Sequence, residues 1–258
     1  MQQVIALKDG QPVFLSLPAP GEEVLPSVIW GDFAYLLTPA FWAAQSWMAA
    51  VDRPAQFGLG DTLAEEVVAC LLGGYGAPAE VGLAAYDRVR AHLRSFGPAL
   101  SLDTAEELLT RPLQVRGRSI RYRFAKQRAR YLHACLVGLL NIQEDQLGDR
   151  ELRDSLCTLP GVGPKTASWV VRNRRDSDQV AILDVHIVRA CCEIGVFPAR
   201  ANPAVDYHGL EERYLSFSHA IGVRASVLDA VMWKIMRSIS LKSLKQLRRD
   251  KNRGFFLR

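Results

Sequence analysis

Lys165 stands directly behind a Gly-Val-Gly-Pro turn, in the stretch Leu-Pro-Gly-Val-Gly-Pro-Lys-Thr-Ala that begins at Leu159. A primary amine at the mouth of an apolar helix has two chemical uses: a countercharge over a phosphate cradle, or a nucleophile presented to a polyanion. The cradle needs Gly-x-x-x-x-Gly-Lys-Ser/Thr after a strand. Here Pro164 separates Gly163 from Lys165 and the segment before the turn reads as helix, so the cradle fails twice. An ordinary lysine is ammonium at neutral pH, with a pKa of about 10.4. It becomes a nucleophile where burial or a neighbouring cation lowers that value, and Trp169 and Val170 flank the site. A second group follows in Ala-Ile-Leu-Asp-Val-His-Ile-Val-Arg, where Asp184 ends an apolar run. A carboxylate at that position caps the next helix and faces its positive end, which favours the ionised form. The interval is 184 − 165 = 19 residues, enough for a helix, a loop and a return to one cleft.

These groups need elements to hold them. A helix over 151–158, a tight turn and a helix over 165–172 make a helix–hairpin–helix, with Pro164 in the first turn of the second helix, where proline is tolerated. Gly161 and Gly163 permit positive φ and close approach of backbone N–H groups to a phosphate, with Val162 at the tip. Elsewhere the periodicity predicts helices over 33–50 (broken near Pro39), 79–93, 125–140, 184–194, 208–217 and 225–239. Thr62, with Glu65 at capping-box spacing, starts a helix that ends at Gly73-Gly74, and Asp103 caps a short helix to Leu109. Residues 1–16 are extended, and Asp9-Gly10 between apolar runs signals a hairpin, weakened by Pro12. After it the chain reads as all-α.

The 258 residues suffice for one large core or two smaller ones that share a cleft. The net charge of +5 is uneven. Arg116, Arg118, Arg121, Arg123, Lys126, Arg128 and Arg130 form a block without an acid, interleaved with Tyr122, Phe124 and Tyr131, and a second basic cluster fills 234–258. Such clusters suit a polyanionic partner, although the C-terminal cluster reads equally as a solvated tail. The five cysteines include no C-x-x-C pair, which excludes a disulfide framework and an iron–sulfur or zinc ligand set and fits a reducing compartment. No signal peptide and no membrane-length apolar run are evident.

The hairpin with Lys165, and Leu-Asp-Val-His-Ile-Val-Arg around Asp184, together resemble the helix–hairpin–helix superfamily of DNA glycosylases. Tyr-Arg-Phe-Ala-Lys-Gln-Arg-Ala-Arg-Tyr, ending at Tyr131, is similar to the helix those enzymes place before the hairpin. The missing four-cysteine loop separates the chain from the endonuclease III and adenine-glycosylase branches, and Asp184-Val185-His186 resembles the 8-oxoguanine glycosylase/abasic-site lyase branch. The resemblance implies a two-lobed fold: a six-helix barrel over 63–183 carrying the hairpin at 151–172, and a second domain from 1–62 plus 184–258. It implies that Lys165 attacks the deoxyribose C1′ and forms a Schiff base, while Asp184 stabilises the oxocarbenium-like sugar.

The same resemblance supplies a base pocket. Trp169, four residues after Lys165 and so on the same helical face, and Trp233 become stacking walls; Asp229, one turn before Trp233, reads the base edge. Trp233 as core packing and Asp229 as a capping acid remain open alternatives. Gln127 and Arg128 occupy the position that faces the gap left by an extruded base, with a simple phosphate role open for Arg128. Lys126, Arg130, His186 and Arg189 join Gly161, Val162 and Gly163 as DNA-binding residues, His186 as a phosphate or structural donor. The expected partner is double-stranded DNA containing a modified base, bound by a cytoplasmic, nucleoid-associated monomer. Expected cofactors are none beyond, at most, a monovalent cation at the hairpin. The human-type enzyme has cysteine where Trp169 stands, which leaves open a second substrate class: glucosylated hydroxymethylcytosine removed from phage DNA. A non-catalytic hairpin module that binds DNA is the rival from another class, and it needs neither Lys165 nor Asp184.

Overall fold

A computed structural model describes residues 1–258 apart from 53–55, 75, 241, 245 and 247–258. The C-terminal basic cluster beyond 246 therefore lies outside the described residues. Among the described residues, ten α-helices and three two-stranded ribbons divide between two compact units, Gln56–Val180 and Met1–Ala55 with Ala181–Arg258.

The discontinuous unit opens with β1 (Gln2–Lys8) and β2 (Gln11–Leu17), paired in register from Gln2 opposite Leu17 to Lys8 opposite Gln11. Asp9 and Gly10 both have positive φ (49° and 78°), the geometry of a two-residue turn that matches strand twist, so the hairpin forms despite Pro12. A smaller ribbon follows, β3 (Glu23–Leu25) with β4 (Val28–Ile29). The helix expected from residue 33 begins only at Pro39, as α1 (Pro39–Asp52), because Leu37 takes a left-handed φ of 65° and breaks any earlier turn. The core of this unit gathers Trp42, Ile187, Tyr214, Phe217 and Leu228.

Among the described residues, the continuous unit holds six α-helices: α2 (Leu63–Leu72), α3 (Ala79–Phe96), α4 (Leu102–Thr110), α5 (Ala125–Leu139), α6 (Asp149–Leu156) and α7 (Pro164–Arg175). Thr62 caps α2 by accepting from the Glu65 amide at 3.2 Å; the Glu65 carboxylate reaches back to the Asp61 amide, so the capping box is only half made. Ser101, not Asp103, caps α4, accepting from the Thr104 amide at 3.1 Å. The basic block is not all helix. Arg116 and Gly117 (φ 49° and 74°) turn a third ribbon, β5 (Leu113–Val115) with β6 (Arg118–Ile120). The Arg116 guanidinium meets Glu80 at 2.6 Å.

Candidate active site

The helix–hairpin–helix is α6, the turn at Leu159–Gly163 and α7. The turn is seated on one face of α5, at positions i, i+4 and i+7. A side chain on Gly161 (φ 79°) would put its Cβ 2.4 Å from the Tyr131 ring; Cys135 Sγ donates to the Pro160 carbonyl at 3.1 Å; a Cβ on Gly138 would meet Leu159 at 2.5 Å. Glycine at Gly161 is thus demanded from inside, and a side chain at Gly138 would require Leu159 to move. Gly163 differs: its φ of −95° suits any residue, and nothing lies within 4 Å of where a Cβ would be. As N-cap of α7 it supplies no side-chain bond, so the leading N–H groups of α7 keep no side-chain partner from the cap. Lys165, half-buried, is the second residue of that helix. Val162 corrects the sequence reading. Its side chain is 4% exposed within the core and its N–H is taken by the Leu159 carbonyl, so it braces the turn and neither group is offered to DNA.

Asp184 lies in the discontinuous unit, at the N-cap of α8 (Val185–Ile194). Its Oδ1 accepts from the amides of His186 (2.7 Å) and Ile187 (2.9 Å), which leaves Oδ2 outside the cap. The extended segment before it is clamped by α9 (Tyr207–Ala220). The Ala181 amide donates to Glu211 Oε1 at 2.9 Å, the Tyr207 hydroxyl donates to the Ala181 carbonyl at 2.6 Å, and the Leu183 amide donates to that hydroxyl at 3.4 Å. Two buried side chains thus fix the approach of the backbone to Asp184.

The family model of the 8-oxoguanine DNA glycosylases with this hairpin matches residues 61–223, which span the hairpin, Lys165 and Asp184. The chain belongs to that family. Among solved structures, the 8-oxoguanine DNA glycosylase of Methanocaldococcus jannaschii is similar at 24% identity and a TM-score of 0.53, over 68% of this chain and 78% of that one. That of Thermotoga maritima is similar at 23% and 0.53, over 69% and 80%. A complex of the M. jannaschii glycosylase/lyase with a 15mer DNA containing 8-oxoguanine matches at 23% and 0.53, over 69% and 82%. At these identities the structures attest the shared fold. Among curated proteins none is significantly similar.

In this glycosylase the expected pocket residues sit on helices of both units. Trp169 is half-buried, its ring edge against Gly73, where a Cβ would come within 3.2 Å of it. Asp229 (6% exposed) and Trp233 (37% exposed) lie one turn apart on α10 (Ala225–Met236), which packs against α8 and so against the helix that Asp184 caps. The Arg237 guanidinium covers a face of Trp233 at 4.5 Å from the ring centroid, so that face is not free for a base in this conformation. His186 and Arg189 are half-buried on α8, and His186 Nδ1 is buried without a hydrogen-bond partner. Lys126, Gln127 and Arg130 are exposed on the first turns of α5, with Gln127 Nε2 donating to the Tyr131 hydroxyl at 3.2 Å. Half-buried Arg128 turns instead toward the Gly74 backbone. Sequence reasoning missed Tyr207 and Glu211, and nothing local marks them: their partner at Ala181 is 26 and 30 residues away. It also missed the ribbon at Arg116-Gly117, for which the alternation of Leu113-Gln114-Val115 was an available signal.

Proposed function

We propose that this glycosylase excises 8-oxoguanine from duplex DNA and then cleaves the abasic site through a lysine Schiff base. The observation that carries the reading is the glycine-capped start of α7 with Lys165 in its first turn: donors left for an outside phosphate, and an amine beside them. In the proposed sequence, phosphates dock on the amides of Gly161 and Gly163 and on Lys126, Arg130, His186 and Arg189, while Gln127, and Arg128 once it swings away from Gly74, face the widowed base. The flipped base stacks on Trp169 and Trp233, the latter after Arg237 moves aside, and Asp229 accepts from its N1–H and N2–H.

Lys165 Nζ, as free amine, then forms a bond to C1′ as the N-glycosidic bond breaks and its electron pair leaves with the base. Asp184 Oδ2 stabilises the cationic sugar and takes the proton from the attacking nitrogen. Ring opening gives the Schiff base; loss of the 2′ proton and of the 3′ phosphate completes β-elimination. Should the expected monovalent cation bind, the Gly161 and Val162 carbonyls are its available ligands, since those of Leu159 and Pro160 already accept hydrogen bonds.

The test is excision from a panel of duplexes, each with one modified base: 8-oxoguanine, uracil, thymine glycol, an alkylated purine or glucosylated hydroxymethylcytosine. Release of 8-oxoguanine ahead of the rest supports the reading. Release of the glucosylated base alone would replace the substrate, and salt-sensitive binding without release of any base would favour the hairpin module.

A further inference from the structure

Beneath α7 lies a buried polar cluster with no part in the chemistry above. Glu66, on α2, is 0% exposed. Its Oε2 accepts from the amides of Leu59 (2.8 Å) and Gly60 (2.9 Å), and its Oε1 accepts from Asn173 Nδ2 at 2.6 Å and, more weakly, from the Cys70 thiol at 3.7 Å. A carboxylate stripped of water is tolerated only with such a full set of donors. Leu59, Gly60 and Cys70 belong to α2 or the loop that enters it; Asn173 alone belongs to α7, 107 residues along the chain.

The pattern runs along both helices. Glu66, Cys70 and Gly73 follow at i, i+4 and i+7 on and just past α2; Lys165, Trp169 and Asn173 follow at i, i+4 and i+8 on α7. Trp169 rests on Gly73 and Asn173 is tied to Glu66, so α7 is held at two points along the stripe that starts with Lys165. The Cys70 thiol senses the charges of this cluster. Burial holds its pKa well above the ordinary range, the Glu66 charge adds to the rise, and the charges of Arg172 and Lys165 oppose it. Arg172, next to Asn173, stacks over Phe57 at 4.2 Å and further limits rotation of the helix.

We propose that Glu66 is a positioning residue for Lys165: through Asn173 it fixes the rotation of α7 on α2 and thereby the direction in which the amine points. The proposal rests on Lys165 being the nucleophile. A nucleophile displaced by about 1 Å loses on the order of 100-fold in rate, because the reacting atoms leave their near-attack geometry.

The experiment uses a duplex with a preformed abasic site, which removes base recognition from the readout, and borohydride to trap the adduct under single-turnover conditions. Asn173→Ala cuts the tie and leaves both backbone amides on Glu66; Glu66→Gln replaces one acceptor oxygen with a donor. Each is expected to lower the trapping rate constant by 10-fold or more, with DNA affinity within about 2-fold of the parent and the full trapped amplitude retained. A purely structural role would lower the fraction of competent enzyme, and so the amplitude, while that fraction reacts at the parent rate. That result, or an unchanged rate in a folded Asn173→Ala, overturns the proposal. If Glu66→Gln does not fold, Asn173→Ala decides alone. If the parent protein itself forms no adduct, the fault lies with the lysine chemistry and not with the positioning.

Discussion

The starts of α7 and α8 are treated oppositely. At α8 the chain supplies its own anion, and Asp184 Oδ1 takes two of the orphan amides. At α7 the cap is Gly163, which supplies nothing although its backbone and surroundings would admit a side chain. A helix N-terminus attracts negative charge in either case. Under the proposed function the difference is who provides it, the protein or the DNA. A glycine cap forgoes only roughly a few tenths of a kcal/mol relative to a capping side chain, and under that function DNA binding gives the omission a purpose.

The contrast breaks most sharply at Asp184. Asp184→Ser keeps a capping oxygen and removes the second one, so thermal stability is expected within about 1 kcal/mol of the parent. Excision is expected to fall on the order of 10³-fold, comparable to losing a principal source of transition-state charge stabilisation. A variant that stays active would reduce Asp184 to a cap. At α7 the reverse substitution, Gly163→Asp, gives the helix the cap it lacks. The expectation is equal or slightly higher stability, by roughly a few tenths of a kcal/mol, with at least a 10-fold weaker Kd for duplex DNA, because a carboxylate occupies the amides and repels the phosphate. Unchanged binding in a fluorescence-anisotropy titration would show that phosphates dock elsewhere.

Gly161→Ala sharpens the contrast within the hairpin itself. A left-handed φ and the Tyr131 ring both oppose a Cβ, so chemical denaturation should report a loss of about 1–3 kcal/mol. Smaller still is Tyr207→Phe, which removes the hydroxyl clamp ahead of Asp184: about 1 kcal/mol, the size of a lost hydrogen-bond pair. Stability unchanged in that variant would mean the Ala181–Leu183 segment is set by packing alone.

How much of this was legible depended on how local the cause was. Asp9-Gly10, the Thr62 cap, the two helices around the hairpin and Asp184 as a cap all express interactions within a few residues, and the sequence showed them. The sequence reading names Asp103 as the cap where the structure uses Ser101, because periodicity alone does not fix the first turn of a helix. Val162 reads as a DNA-binding residue at the tip of the turn; α5 behind the turn buries its side chain instead. The ribbon at Arg116-Gly117 is hidden by a non-glycine residue with positive φ inside a basic run, to which the sequence reading assigns no element. Glu66 with Asn173, and Tyr207 with Ala181, are pairings across 107 and 26 residues, and no spacing rule reaches them.

The most direct test of the central claim is borohydride reduction on a duplex with a single 8-oxoguanine, followed by peptide mapping of the covalent product. The account predicts one adduct, on Lys165, absent in Lys165→Ala. An adduct mapped to another lysine or to the N-terminal amine, or strand cleavage undiminished in Lys165→Ala, would contradict it.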